Sequence, residues 1–469
     1  MDLKKIIVNS GFLIFSKFYT LFLNIVIASL IARSLTISNY GVYAIISSYT
    51  LVVGIFADFG LSNLLLRDSH KFDNKEEYLS NMIITRIILS VVVSFIGFSI
   101  SFLIPQYSLV IRLGIAIFSI GTISNSVAAL VRNYYQTINV SIIPMISEIS
   151  GITAGLVLMF IYLIINNNIY IIFIILSLTF VIRMVISLVF LFRRHRLVYR
   201  FNRKVFAEYT FEGYLLALVA IISTVYFKAD SIILSIMKPY SDVAIYSVAY
   251  KFVDVFIALP SVIMAPIFSL MSKSINEKNI KEAQIIFIKA FKLIASFGSL
   301  VLPAILIFSK YIIFIYAGIK YNSSVSVLNI LSITIFLSFL GNVFIYGVMA
   351  NKKQNMLSYY FVLLSVFNIV TNVIFIPHFS YIAAAWLTDI TELFVLIGGM
   401  WISYKYCKLY VDIRTFLQFI VYVIVMSILS LALLGSLNIL LLIILYIFIS
   451  SVFIFLIYRK EILQIVNKR

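Results

Sequence analysis

Fourteen apolar runs, most of them long enough to cross a bilayer, leave this chain little choice of solvent. A transmembrane helix needs about 20 predominantly apolar residues, because the hydrocarbon core is about 30 Å thick and each helical residue rises about 1.5 Å. The runs lie near residues 9–31, 42–66, 80–103, 109–131, 142–165, 169–192, 213–236, 243–269, 293–316, 325–349, 356–376, 381–403, 416–434 and 437–457. With 63% hydrophobic and 12% charged residues, the chain stands far from the roughly 45–50% and 25% of soluble domains. The expected fold is all-α and integral to the membrane, with about 14 transmembrane helices. The first run follows Lys4 and Lys5 as a secretory signal would, but it carries Lys17 and Asn24 and shows no small-residue cleavage site, so it is read as a retained span. Cys407 is the single cysteine, which points to neither a disulfide framework nor a thiolate metal site.

The charges sort by side. With both termini in the cytoplasm, inner segments hold 26 basic residues, outer segments and the outer ends of spans five (Arg33, Arg112, Lys238, Lys310, Lys320) and the interiors of spans five. That asymmetry is the one the positive-inside rule describes, and it supports an even number of crossings. It also accounts for the net charge of +18: the excess faces anionic headgroups from many loops, and no nucleic-acid partner is implied. The longest polar stretch, a basic cytoplasmic linker at 193–212, separates a six-helix bundle at 1–192 from a second at 213–404, and 405–469 adds two helices. Similar patterns recur on both sides of it. Ser38–Tyr43 and Ser241–Tyr246 open spans two and eight, and Glu76–Arg86 and Lys278–Lys292 lead into spans three and nine. Halves of six spans share one orientation, so their pseudo-two-fold axis is expected along the membrane normal, with a cavity between them.

Charged residues inside spans are the strongest pointers to a site, since each costs at least about 2.5 kcal/mol on insertion scales. The segment from Lys228 to Asp254 holds four, on two helices joined by the loop 238–242. Lys251 and Asp254 are three apart and can pair along one face. Lys228 and Asp230 point to different sides, which leaves Lys228 the better candidate for an anionic group; its face continues through Thr224, Ser231 and Ser235, hydroxyls suited to a sugar. Pro260 and Pro266 are expected to kink or shorten the eighth span. In the first span Lys17, Thr20 and Asn24 form a polar stripe, either a cavity lining or hydrogen-bonding glue between helices. Lys17, Asp58, Arg86, Glu148 and Arg183 lie toward the cytoplasmic end, and Lys228, Asp230, Lys251, Asp254, Asp389 and Glu392 nearer the outer half. Five basic residues against six acidic ones leave room for mutual pairing.

The hairpin Lys228-x-Asp230-x-x-x-Leu234, followed by Val243-x-x-Tyr246-x-x-Ala249, resembles spans seven and eight of the bacterial O-antigen and capsule flippases. These polysaccharide-biosynthesis transporters share a superfamily with multidrug and toxic-compound extrusion exporters. Asp58-Phe59-Gly60-Leu61 is similar to the family's acidic-aromatic-Gly-Leu signature, and Asn368, Asn372, Pro377 and Ala383-Ala384-Ala385 to its N-x-x-x-N…P…G-A-A pattern. Lys228 stands where arginine is more usual, which gives up a bidentate grip on phosphate. Thr36 and Ala383 each replace a glycine. The resemblance covers essentially the whole chain and implies a multi-pass transporter of the bacterial cytoplasmic (inner) membrane, not an enzyme. Its substrate would be an undecaprenyl-diphosphate-linked oligosaccharide, an O-antigen (lipopolysaccharide) or capsule repeat unit, flipped to the outer leaflet by alternating access. Its partners would be that substrate, membrane lipids and other polysaccharide-assembly proteins.

On this reading the cavity candidates are Lys228, Lys17, Asn24, Thr224, Ser231, Lys251, Arg86 and Arg183. No G-x-x-x-x-G-K-[ST] motif is present, so transport is expected to run on an ion gradient or on substrate concentration. Asp58, Asp230, Asp254, Asp389 and Glu392 are the candidates for coupling to H+ or Na+. No cofactor, metal ligand or catalytic residue is indicated. Two alternatives stay open: a drug or toxin exporter of the same superfamily, and a membrane-embedded glycan polymerase, against which the short outer loops argue.

Overall fold

The structure, a computed structural model, describes residues 3–58, 60–68, 75–138, 140–195, 221, 224, 226–433 and 439–466. The linker beyond residue 195, most of the first half of the seventh run, and Phe59 lie outside the described residues. The regular elements among the described residues are all helices, and they fall into two compact units.

The first unit comprises 1–247 and 372–380. It holds α1 (Leu3–Ser34), α2 (Ile37–Asp58), the short α3 (Leu61–Asp68), α4 (Lys75–Ile100), α5 (Leu109–Thr137), α6 (Ile142–Ile165) and α7 (Ile169–Arg194). These are followed by α8 (226–237) and the first turns of α9 (Tyr240–Asn276). The signature at Asp58–Leu61 is a corner: α2 ends at Asp58, α3 begins at Leu61, and Gly60 turns the chain at φ +74°, a conformation glycine adopts without steric cost. Leu61, Leu64 and Leu65 then share one face of α3 and pack with Val127, Leu130 and Tyr134 of α5.

Lipid tails solvate apolar side chains as well as a neighbouring helix does, so close approach at small residues has to hold the bundle. Gly151 and Gly155 of α6 supply it. A Cβ at 151 would lie 2.3 Å from Cγ of Arg183, and one at 155 would lie 2.2 Å from Oγ1 of Thr179, both on α7. α5 packs extensively on α7 and also on α2 and α4, while α1 lies against α6.

The second unit comprises 248–371 and 381–469. It continues α9 and adds α10 (Ile280–Ala317), α11 (Ser324–Ala350), α12 (Gln354–Ile402), α13 (Ile413–Leu433) and α14 (Ile439–Val466). α10 packs on α11 and α13. At 49 residues, α12 is too long for one crossing, and Ser380 (φ 51°, ψ −136°) breaks it into two. Pro377 removes a backbone donor just before the break, and the Ser380 hydroxyl donates to Asp242. By contrast, α9 runs as one helix of 37 residues through Pro260 and Pro266 to Asn276, so the shortening expected there is not seen. Twelve helices among the described residues are long and apolar enough to span a membrane. Counting α12 as two brings this to thirteen, close to the expected count of about 14; most of the first half of the seventh run lies outside the described residues.

Candidate functional site

The α8–α9 hairpin is built around Asp230. Its side chain is 2% exposed, and the Tyr246 hydroxyl donates to Oδ2 at 2.5 Å. Lys228, two residues earlier, is half-buried and points elsewhere, as helical spacing requires. Lys228, Thr224, Lys251 and Asp254 are each engaged by an interaction within the protein. Ser231 and Ser235 are buried, and Ser235 shares a 3.0 Å hydrogen bond with Tyr107. Burial is the main cause that pushes the Tyr107 hydroxyl up to about 12, so it stays neutral at physiological pH and can donate or accept.

The tip of this hairpin is tied down on several sides. Lys238 Nζ donates to the carbonyl of Pro377 at 2.7 Å, and the Tyr240 hydroxyl donates to that of Gln106 at 2.5 Å. The Tyr240 carbonyl would sit 1.8 Å from a Cβ at Gly41, so only glycine lets the second turn of α2 pass that close. Further along α9, in the second unit, Lys251 is half-buried and Asp254 exposed.

On α1, Lys17 and Asn24 are exposed on a stretch that also exposes Phe18 and Phe22. Thr20 turns its hydroxyl back to the carbonyls of Ser16 and Lys17, at 2.9 Å and 3.0 Å.

Arg86 and Arg183 are buried and spend their charge on acids of the first unit. Arg86 on α4 binds the Asp58 carboxylate, donates to the Asp58 carbonyl at 2.9 Å, and donates through Nε to the Ser126 carbonyl at 3.3 Å. Ser62 adds a 2.5 Å bond to the same carboxylate. One guanidinium thus ties α2, α4 and α5 together and satisfies an exposed helix-end carbonyl. Glu148 on α6 accepts from Arg132 of α5 at 2.7 Å and from Arg183 of α7 at 3.0 Å.

Asp389 on α12 is held differently. Its Oδ1 accepts the Thr334 backbone N–H at 2.8 Å together with the Thr334 hydroxyl. Its Oδ2 is buried and has no hydrogen-bond partner among the described residues. Glu392, one turn on, is also buried, and Asn368 donates to Thr391 at 3.2 Å between them.

Four participants escaped sequence reasoning as site residues: Tyr246, Tyr107, Thr334 and the Gly151-x-x-x-Gly155 pair. Tyr246 entered the sequence reading only as part of the hairpin pattern, and the glycine pair carries a small-xxx-small signal of its own.

The comparisons with known proteins come to the same fold. A family model described as "Polysaccharide biosynthesis protein" matches residues 6–274, and one described as MatE matches residues 216–374. No curated protein matches the chain. Among solved structures, the lipid II flippase MurJ in an inward closed conformation is similar with a TM-score of 0.74 and 16% identity, over 97% of this chain and 100% of that one. An inward-facing multidrug resistance MATE family transporter is similar with a TM-score of 0.66 and 14% identity, over 81% and 93%. A MOP superfamily transporter from Pyrococcus furiosus is similar with a TM-score of 0.58 and 13% identity, over 86% and 96%.

Proposed function

Because the chain belongs to the polysaccharide biosynthesis protein family, we propose that this membrane transporter flips an undecaprenyl-diphosphate-linked oligosaccharide from the inner to the outer leaflet. The repeat unit would be an O-antigen or capsule unit, in a bacterial inner membrane with both termini of the protein cytoplasmic. The observation that carries this reading is the extent of the family match, 6–274, which contains α8 with Lys228 and Asp230 and all but the last two residues of α9.

In this mechanism Lys228 meets the diphosphate as a point charge, and Thr224 and Ser231 offer hydroxyls to the sugar. Lys17 and Asn24 on α1 and Lys251 on α9 add polar contacts. Arg86 and Arg183, drawn onto Asp58 and Glu148, act by fixing the helices that frame the path. The two six-helix halves rock in alternation, and coupling to H+ or Na+ falls to carboxylates among Asp230, Asp254, Asp389 and Glu392, while Asp58 is committed to Arg86. Other polysaccharide-assembly proteins supply the lipid-linked unit and take it up.

A second reading, export of drugs or toxins, is favoured by the MatE match over 216–374. Measuring lipid-linked repeat units in each leaflet of a deletion strain separates the two. Accumulation confined to the inner leaflet supports the flippase, and an unchanged distribution supports the exporter. Lys228→Ala is expected to abolish surface glycan while the protein stays inserted and abundant; normal glycan in that variant would remove Lys228 from the mechanism.

A further inference from the structure

Where α10 turns into α11, the second unit carries a cavity of about 510 Å³ lined by Lys310, Tyr311, Phe314, Ile319, Asn322 and neighbouring residues. That volume falls within the roughly 300–1,000 Å³ of small-molecule sites. Its character is amphiphilic. Tyr311, Phe314 and Ile319 are 48%, 49% and 76% exposed, an apolar wall open to whatever surrounds the helix end. Gly318 turns the chain at φ +91° and leaves open space where a side chain would otherwise project.

Into this wall the sequence sets a cation. Lys310 lies seven residues before the end of α10, about 10 Å below it. It is exposed, and it makes no ion pair or hydrogen bond among the described residues. An ammonium at that depth is stable only where it reaches water or an anion. Lys320 stands in the turn itself, its Nζ 5.5 Å from the Tyr321 ring. Both are among the five basic residues that the charge asymmetry places on the sparsely basic face. A phosphate beside an acyl chain satisfies lysine, amide and apolar wall together, as neither a free anion nor an uncharged hydrocarbon does.

We infer that this pocket is a binding site for an anionic phospholipid, with the phosphate on Lys310 and Asn322 and an acyl chain along Phe314 and Ile319. The site is independent of whether the chain flips glycan lipids or exports drugs. It is tested with the full-length protein in nanodiscs of phosphatidylglycerol or phosphatidylcholine, counting lipids retained after transfer to detergent by native mass spectrometry. Wild type is expected to retain phosphatidylglycerol over phosphatidylcholine. Lys310→Gln is expected to bind it about fivefold more weakly, the worth of one lysine near an anionic headgroup. Ile319→Glu, on an exposed side chain, should lose it as well while melting like wild type. Equal retention by wild type and Lys310→Gln would overturn the site, and so would equal retention of phosphatidylcholine. Displacement by inorganic phosphate would overturn the lipid in favour of a free anion.

Discussion

Arg86 in the first unit and Asp389 in the second are each 4% exposed, yet their surroundings treat charge in opposite ways. Arg86 has a carboxylate and two backbone carbonyls arrayed around it. Asp389 is met by a hydroxyl and a backbone N–H on one oxygen and, among the described residues, by no hydrogen bond on the other. The first arrangement tolerates no change of charge, since removing either partner strands the other in a dry interior. The second tolerates one. A protonated Asp389 keeps its accepting oxygen and adds a donor at Oδ2, and a deprotonated one keeps both bonds from Thr334. Paired charge fixes helices to one another, whereas dipole-held charge leaves both protonation states of the carboxyl with hydrogen bonds to make.

The comparison can be broken by mutation, beginning with the largest effect. Arg86→Ala should cost about 3–5 kcal/mol, read as loss of monodisperse protein in detergent, and the double change with Asp58→Ala should recover a good part of it. If Arg86→Ala melts like wild type, the pair is not frame. Gly155→Leu forces a side chain against Thr179 and should cost about 1–3 kcal/mol of thermal stability with the ion pairs intact. Asp389→Asn keeps shape and acceptor, so about 1 kcal/mol or less is expected in stability. The transport rate of that variant should, however, lose its dependence on external pH or Na+. A variant that still responds like wild type takes Asp389 out of coupling. Arg132→Ala should be smallest, within about 0.2–1 kcal/mol, because Arg132 is 38% exposed and Arg183 still holds Glu148.

What a sequence exposes depends on the range of the forces involved. The helices were legible because hydropathy over 20 residues is a local property and the bilayer thickness is fixed. The hairpin charges were legible for the same reason. The pairing of Arg86 with Asp58, 28 residues apart, was not, because it depends on how α2 and α4 are rotated about their own axes. Proline proved an unreliable mark of a break. Pro260 and Pro266 sit inside continuous α9, while α12 breaks at Ser380, a residue whose left-handed backbone no composition rule would single out. Thr20 shows the limit of stripes: it lies in line with Lys17 and Asn24, but its hydroxyl serves its own helix.

The lengths of α9 and α10 have a practical consequence. At 37 and 38 residues, each is about 55 Å long, nearly twice the hydrocarbon core of about 30 Å. They meet in a turn at Lys278, whose φ is +61°, and the first turn of α10 is pinned by Asn279 accepting the Glu282 N–H at 3.1 Å. A stiff helical post of this kind, with a defined tip, is a natural splice point for a rigid fusion partner. A small helical bundle grafted in continuous helix across that turn would give single-particle imaging a fiducial.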